Sequence, residues 1–146
     1  MNLTLPTAGL IVIKDNKLLL TFSKNKKAWY LPGGKIDANE SAHDALCREI
    51  SEELNIGLNS DLLKYYCHIS APAYGEEENV IMEQECFLYE LMEEVEASSE
   101  IEQIGYFDLD DYLQQPIQVK GVLKVFKQLQ EDMLLGESST TNTLYL

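Results

Sequence analysis

Residues 34–56 read GKIDANESAHDALCREISEELNI and follow the turn Trp29-Tyr-Leu-Pro-Gly-Gly34. Ser41 has the chemistry of a helix N-cap, with Asp44 three residues on as its capping-box partner. Ala42, Leu46, Ile50 and Leu54 step by four, which predicts a helix with one buried stripe. Asn55 ends it, because Asn is second only to Gly at the left-handed C-terminal position. Glu49, Glu52 and Glu53 then share one flank, beside the stripe rather than opposite it. Like charges at that spacing cost about 0.2–0.5 kcal/mol per pair on an exposed helix. A cation with several oxygen ligands reverses that sign. Spacing alone leaves two readings open: a platform for a divalent metal, or a solvated acidic face in an acidic chain.

The flanking segments alternate between strand and helix signals. Ala8 to Ile13 is apolar and β-branched, hence a buried strand. Lys14-Asp-Asn-Lys17 is a turn, and Leu18 to Phe22 returns as the hairpin partner. Trp29 to Leu31 is short and extended, as the residue before Pro32 requires. Gly33 and Gly34 permit a sharp turn or a close approach of backbone to ligand. Further strands are expected at Tyr65–Ile69, Val80–Leu91 and Ile104–Phe107. Loops are expected at 70–79, which holds Pro72, and at 93–102. Asp108 opens a capped helical turn, and Val122, Val125, Phe126, Leu129 and Met133 give a helix within 119–135. These elements form one domain over 1–135, of α/β (α+β) class: an α/β/α sandwich with a mixed β-sheet. Residues 136–146 are a Ser/Thr-rich tail whose end, Leu144-Tyr-Leu146, is expected to dock on the domain or on a second subunit.

The formal net charge of −14 disfavours long nucleic acids as partners. It does not exclude a small phosphorylated ligand met by local lysines, for which Lys24, Lys26, Lys27 and Lys35 are candidates; the alternative is a solvated loop. No apolar run approaches the roughly 20 residues of a membrane span. The N-terminal residues lack the basic region and cleavage site of a signal peptide. Cys47, Cys67 and Cys86 are widely spaced, without zinc-ligand spacing, and read as reduced thiols in a cytoplasmic protein.

The stretch closely resembles the Nudix box: Gly, five residues, Glu, seven residues, Arg-Glu, an aliphatic, any residue, Glu-Glu, any residue, Gly, an aliphatic. Those positions are Gly34, Glu40, Arg48, Glu49, Ile50, Glu52, Glu53, Asn55 and Ile56. All but Asn55 fit, and Asn tolerates the positive φ that Gly would adopt there. The resemblance spans about a sixth of the chain. It implies the Nudix fold and hydrolysis of the pyrophosphate bond of a nucleoside diphosphate-linked substrate, with Mg²⁺ or Mn²⁺ as cofactor.

The resemblance also implies roles. Glu49, Glu52 and Glu53 would be metal ligands, with the Gly33 carbonyl a fourth. Arg48 would hold an acidic box residue by a charge-assisted hydrogen bond; the plainer reading is a surface pair with Glu52. Glu40 would orient the loop and helix. Gly34 and Lys35 would meet phosphate. The general base would be a box Glu such as Glu53 or Glu52, or Glu100 ahead of the strand at Ile104, with Glu102, Glu83 and Glu85 as competitors. Trp29, Tyr30, Tyr74 and Phe22 are candidates to stack on the base, Trp29 foremost, although core or surface packing is the commoner use of each. The substrate would be a nucleoside triphosphate, noncanonical or oxidised ones included. ADP-ribose or a nucleotide sugar is the alternative, because Pro72 lies sixteen residues past Ile56, a spacing resembling ADP-ribose-type members. A non-catalytic nucleotide sensor is a further reading, though such modules usually lose box carboxylates. The protein would act as a monomer or homodimer.

Overall fold

The computed structural model describes residues 3–136. The tail 137–146, with its expected docking of Leu144-Tyr-Leu146, lies outside the described residues. Two sheets organise the fold. The first joins β1 (Leu3–Ile11), β5 (Gly33–Lys35), β6 (Lys64–Pro72) and β7 (Val80–Leu88) in the order β5-β1-β7-β6. It is mixed: β1 and β7 run parallel, from Leu3 beside Val80 to Ile11 beside Leu88, while β5 and β6 are antiparallel to their neighbours. The second centres on β3 (Lys17–Ser23). β3 pairs along one edge with β8 (Ile101–Phe107), and along the other with β2 (Ile13–Lys14) and β4 (Trp29–Tyr30).

Helices cover both faces of the mixed sheet. Ala8, Leu10 and Val12 face one side and pack with Leu46, Ile50 and Leu54 of α1 (Ala42–Leu54). Ile11 faces the other, in the core that holds Val122, Val125, Phe126 and Leu129 of α3 (Lys120–Glu131). Alternation along β1 thus feeds two cores from one strand. α2 (Leu109–Leu113) is capped by Asp108, which accepts from the Asp111 N–H. Its Tyr112 hydroxyl accepts from the Val119 N–H at 2.8 Å, tying the α2–α3 connection into the core.

Several boundaries differ from the sequence expectation, each for a non-local reason. β1 begins at Leu3, not Ala8, because pairing to β7 runs the whole length. β6 extends through Pro72, which sits opposite Ile81 on an edge strand, where proline's missing donor is tolerated. The loop is therefore 73–79. β7 stops at Leu88 rather than Leu91, and β8 begins at Ile101 because Ser23 pairs with it. α3 ends at Glu131. Met133 has φ 60° and is exposed rather than on the apolar stripe, and the Leu134 and Leu135 N–H groups donate to the Leu129 carbonyl.

Candidate active site

The turn before β5 and the flank of α1 are joined through two glycines. Gly33 has φ +136°, and a Cβ there would lie 2.0 Å from the Ala8 carbonyl oxygen, so no side chain is admitted. Its N–H donates to Glu53 Oε1 at 2.9 Å. At Gly34 a Cβ would stand 2.5 Å from Glu49 Cδ. The turn backbone therefore lies directly against two carboxylates one helical turn apart. α1 itself forms as its sequence dictates: Ser41 accepts from the Asp44 N–H, and Asn55 takes the left-handed conformation at φ 58°.

Arg48 organises the acidic groups beside this contact. Its Nε and Nη2 grip Glu40 at 2.7 and 3.0 Å, its Nη1 donates to Glu49 Oε1 at 2.9 Å, and its Nη2 reaches the Lys35 carbonyl at 3.0 Å. Asp37 lies at 3.3 Å and Glu52 at 3.6 Å. A planar guanidinium suits such forked contacts. Glu40 also accepts from the Asp37 N–H at 2.9 Å. The Arg48 hydrogen bonds, with that backbone donor, hold the Glu40 carboxyl down to about 2.

A cavity of about 490 Å³ opens beside this cluster, lined at its acidic end by Gly33, Gly34, Lys35, Glu49, Glu53 and Glu100. Glu53 is only 5% exposed. Burial pushes its carboxyl up to about 8, against the Gly33 hydrogen bond, and the charges of Glu49, Glu100 and Glu52 push the same way. Burial also raises Glu49, in spite of Arg48. Glu100 arrives from the loop ahead of β8. The Lys24 N–H donates to its carbonyl at 2.9 Å, and Asn25 Nδ2 donates to its carboxylate at 2.8 Å. At the mouth, Lys26 Nζ donates to the Tyr74 carbonyl at 3.1 Å and to Glu76 at 2.9 Å. Tyr30 and Tyr74 both line the cavity, with ring centroids 6.4 Å apart.

Not every expected site residue is there. Trp29, expected to stack on a base, is a core residue: it is 8% exposed and packs edge-on against Phe22 and Phe107, at 5.4 and 4.7 Å. The Glu52 side chain is about half exposed and does not line the cavity. Glu102 does not line it either. Glu83 and Glu85 lie on the opposite face of β7, where they flank the His68 ring at 2.6 and 2.8 Å. Lys26 and Lys35 line the cavity, whereas Lys24 donates to the Ser99 carbonyl. Nor do the acidic oxygens gather into a ready cage: among the described residues no three Asp, Glu, His or Cys side chains are so grouped that they could hold a metal ion. Arg48 engages Glu49, and Glu52 is turned to solvent. The donor chemistry nevertheless fits a hard cation such as Mg²⁺ or Mn²⁺, since carboxylates and turn carbonyls are what such ions take. Gly34 against Glu49, and the Gly33 N–H on Glu53, leave no side chain between turn and carboxylates.

Several cavity residues escaped sequence reasoning, among them Asn25, Thr7 and Gln84. Thr7 and Gln84 are buried polar side chains on β1 and β7. The Thr7 Oγ1 has no hydrogen-bond partner, an omission that ordinarily costs about 1–3 kcal/mol. The available signal was a polar residue at an inward position of a buried strand.

The family model for the NUDIX domain matches residues 3–129. This chain belongs to the Nudix family. The Nudix domain is 42% identical over 50 residues to an 8-oxo-dGTP diphosphatase of Buchnera aphidicola, covering 32% of this chain and 38% of the relative. It is 35% identical over 77 residues to a putative 8-oxo-dGTP diphosphatase of Bacillus subtilis, covering 51% of this chain and 50% of the relative. The matches thus span half or less of these relatives' own length. A crystal structure of a MutT NUDIX hydrolase from Burkholderia pseudomallei superposes with a TM-score of 0.69 at 28% identity, covering 86% of this chain and 98% of that one. Among the described residues of this Nudix domain no helix is long and apolar enough to cross a membrane.

Proposed function

We propose that this Nudix domain hydrolyses a phosphoanhydride bond in the diphosphate of a nucleotide, a nucleoside triphosphate in the first instance. The observation that carries this reading is the convergence of Glu49, Glu53 and Glu100 with the Gly33–Gly34 backbone on one cavity. Glu49 and Glu53, with the Gly33 carbonyl, would hold Mg²⁺ or Mn²⁺, and Glu52 would join from the rim. Such an ion supplies positive charge against the diphosphate and lowers the pKa of water.

The chain's own groups do the rest. Glu100 takes the proton as a water oxygen attacks phosphorus and the P–O bond to the leaving phosphate breaks. Asn25 fixes one Glu100 oxygen for that task. Arg48 positions Glu49 and clamps Glu40 to the turn. Lys35 and Lys26 meet phosphate charge at the cavity wall. Tyr30 and Tyr74, rather than Trp29, present aromatic surface to the nucleoside. In this reading the domain is a cytoplasmic enzyme whose partner is its small-molecule substrate, and residues 136–146 stand outside the catalytic unit. Phosphate and pyrophosphate release from a panel of nucleotides with Mg²⁺ tests the reading. Turnover of at least one member is expected, and binding without any turnover would make the domain a sensor.

A further inference from the structure

The floor of the cavity is built where β1 and β7 run parallel. Leu5 pairs with Met82 and Thr7 with Gln84 in that register, and all four line the cavity. An apolar rung therefore lies beside a polar one. Thr7 is 6% exposed, and its orphan Oγ1 is a buried hydroxyl awaiting a partner. The Gln84 amide has a neighbour at each end. Its Oε1 lies 3.7 Å from the Cys86 Sγ, which donates to it. Its Nε2 lies over Gly9, 2.9 Å from where a Cβ would stand, so a side chain there would push the amide aside. With the oxygen turned to the thiol, the N–H end is the group left to donate. β7 is two strand spacings from β5, about 10 Å from the carboxylate end.

Resting on the nucleotide-hydrolase reading above, we propose that Thr7 and Gln84 read the nucleobase, selecting an edge that sets a ring N–H beside an exocyclic carbonyl, as guanine does, over one that sets an exocyclic amine beside an unprotonated ring nitrogen, as adenine does. The Gln84 N–H donates to the carbonyl and Thr7 Oγ1 accepts from the ring N–H, while Leu5 and Met82 support the ring. An exocyclic amine would set donor against donor at Gln84 and leave a buried group unpaired, the arrangement that discriminates most strongly.

The test compares kcat/KM for GTP and ATP, and calorimetric binding of GMP and AMP, in wild type, Thr7→Val, Thr7→Ser and Gln84→Met. Wild type is expected to favour GTP and GMP. Thr7→Val should lose about tenfold on the guanine ligands through KM and clearly less on the adenine ligands, and Thr7→Ser should restore the preference. Should Thr7→Val fail to fold, Gln84→Met carries the same comparison. Turnover with a GTP/ATP ratio indifferent to the substitutions overturns the base reader and leaves the hydrolase standing. Absent turnover with a GMP preference abolished by Thr7→Val supports the reader while removing the hydrolase. Absent turnover with equal binding, or no binding, of GMP and AMP overturns the reader as well.

Discussion

Glu53 Oε1 accepts a hydrogen bond from the Gly33 N–H at 2.9 Å across twenty residues of chain. That contact makes the buried carboxylate part of the turn as well as of the helix. Burial nevertheless pushes the carboxyl from its ordinary 4.5 up to about 8, against that hydrogen bond. The folded pKa is raised, so the group's contribution to stability is complete below about 4.5 and is lost as pH rises through about 8. A displacement of one pH unit is worth about 1.4 kcal/mol.

Glu53→Gln keeps the shape and removes the charge. Without divalent cation at pH 8.5 the variant should melt higher than wild type by roughly 10 °C or more, a difference that fades by about pH 4.5. Its turnover should fall by about a hundredfold or more. Calorimetry at the two pH values and a phosphate-release assay check both halves. A variant less stable than wild type at pH 8.5 would show that burial does not strain the charged form.

The adjacent glycines should fail differently. Gly33→Ala meets both a forbidden φ and the Ala8 carbonyl, and should cost roughly 3 kcal/mol or more in denaturant unfolding. Gly34→Ala meets the Glu49 carboxylate instead. Its main loss should be in kcat, about tenfold or more, with a smaller change in stability.

Arg48→Lys retains the charge but not the fork that joins Glu40, Glu49 and the Lys35 carbonyl. It should behave like Arg48→Ala, with activity reduced about ten- to a hundredfold and half-maximal Mg²⁺ displaced upward. Wild-type Mg²⁺ dependence in Arg48→Lys would reduce Arg48 to a surface ion pair.

Trp29→Ala should destabilise by about 3–5 kcal/mol, as removal of a core aromatic does. The folded fraction at low temperature should keep its KM for nucleotide. A selective rise in KM without loss of stability would return Trp29 to the substrate.

The box helix was legible because everything that makes it is local: Ser41 at its start, Leu46, Ile50 and Leu54 on one stripe, and Asn55 at its end. Its flank of carboxylates was legible for the same reason. What α1 does with them was not, because Arg48 turns towards Glu49 and Glu40 and away from a simple pair with Glu52. Whether Trp29 serves the core or the cavity was not legible, because its direction is set by pairing with Phe22 of β3, a tertiary choice. Thr7 and Gln84 meet only through a parallel pairing 77 residues apart in sequence, which no local pattern encodes. Leu3–Thr7 looks irregular until β7 lies beside it.

Mn²⁺ binding, followed by electron paramagnetic resonance of the free ion, tests the cation claim most directly. Wild type should bind Mn²⁺, and Glu49→Gln and Glu53→Gln should each weaken that binding about tenfold or more. Unchanged affinity in both variants would place the ion, and the chemistry built on it, somewhere other than the flank of α1.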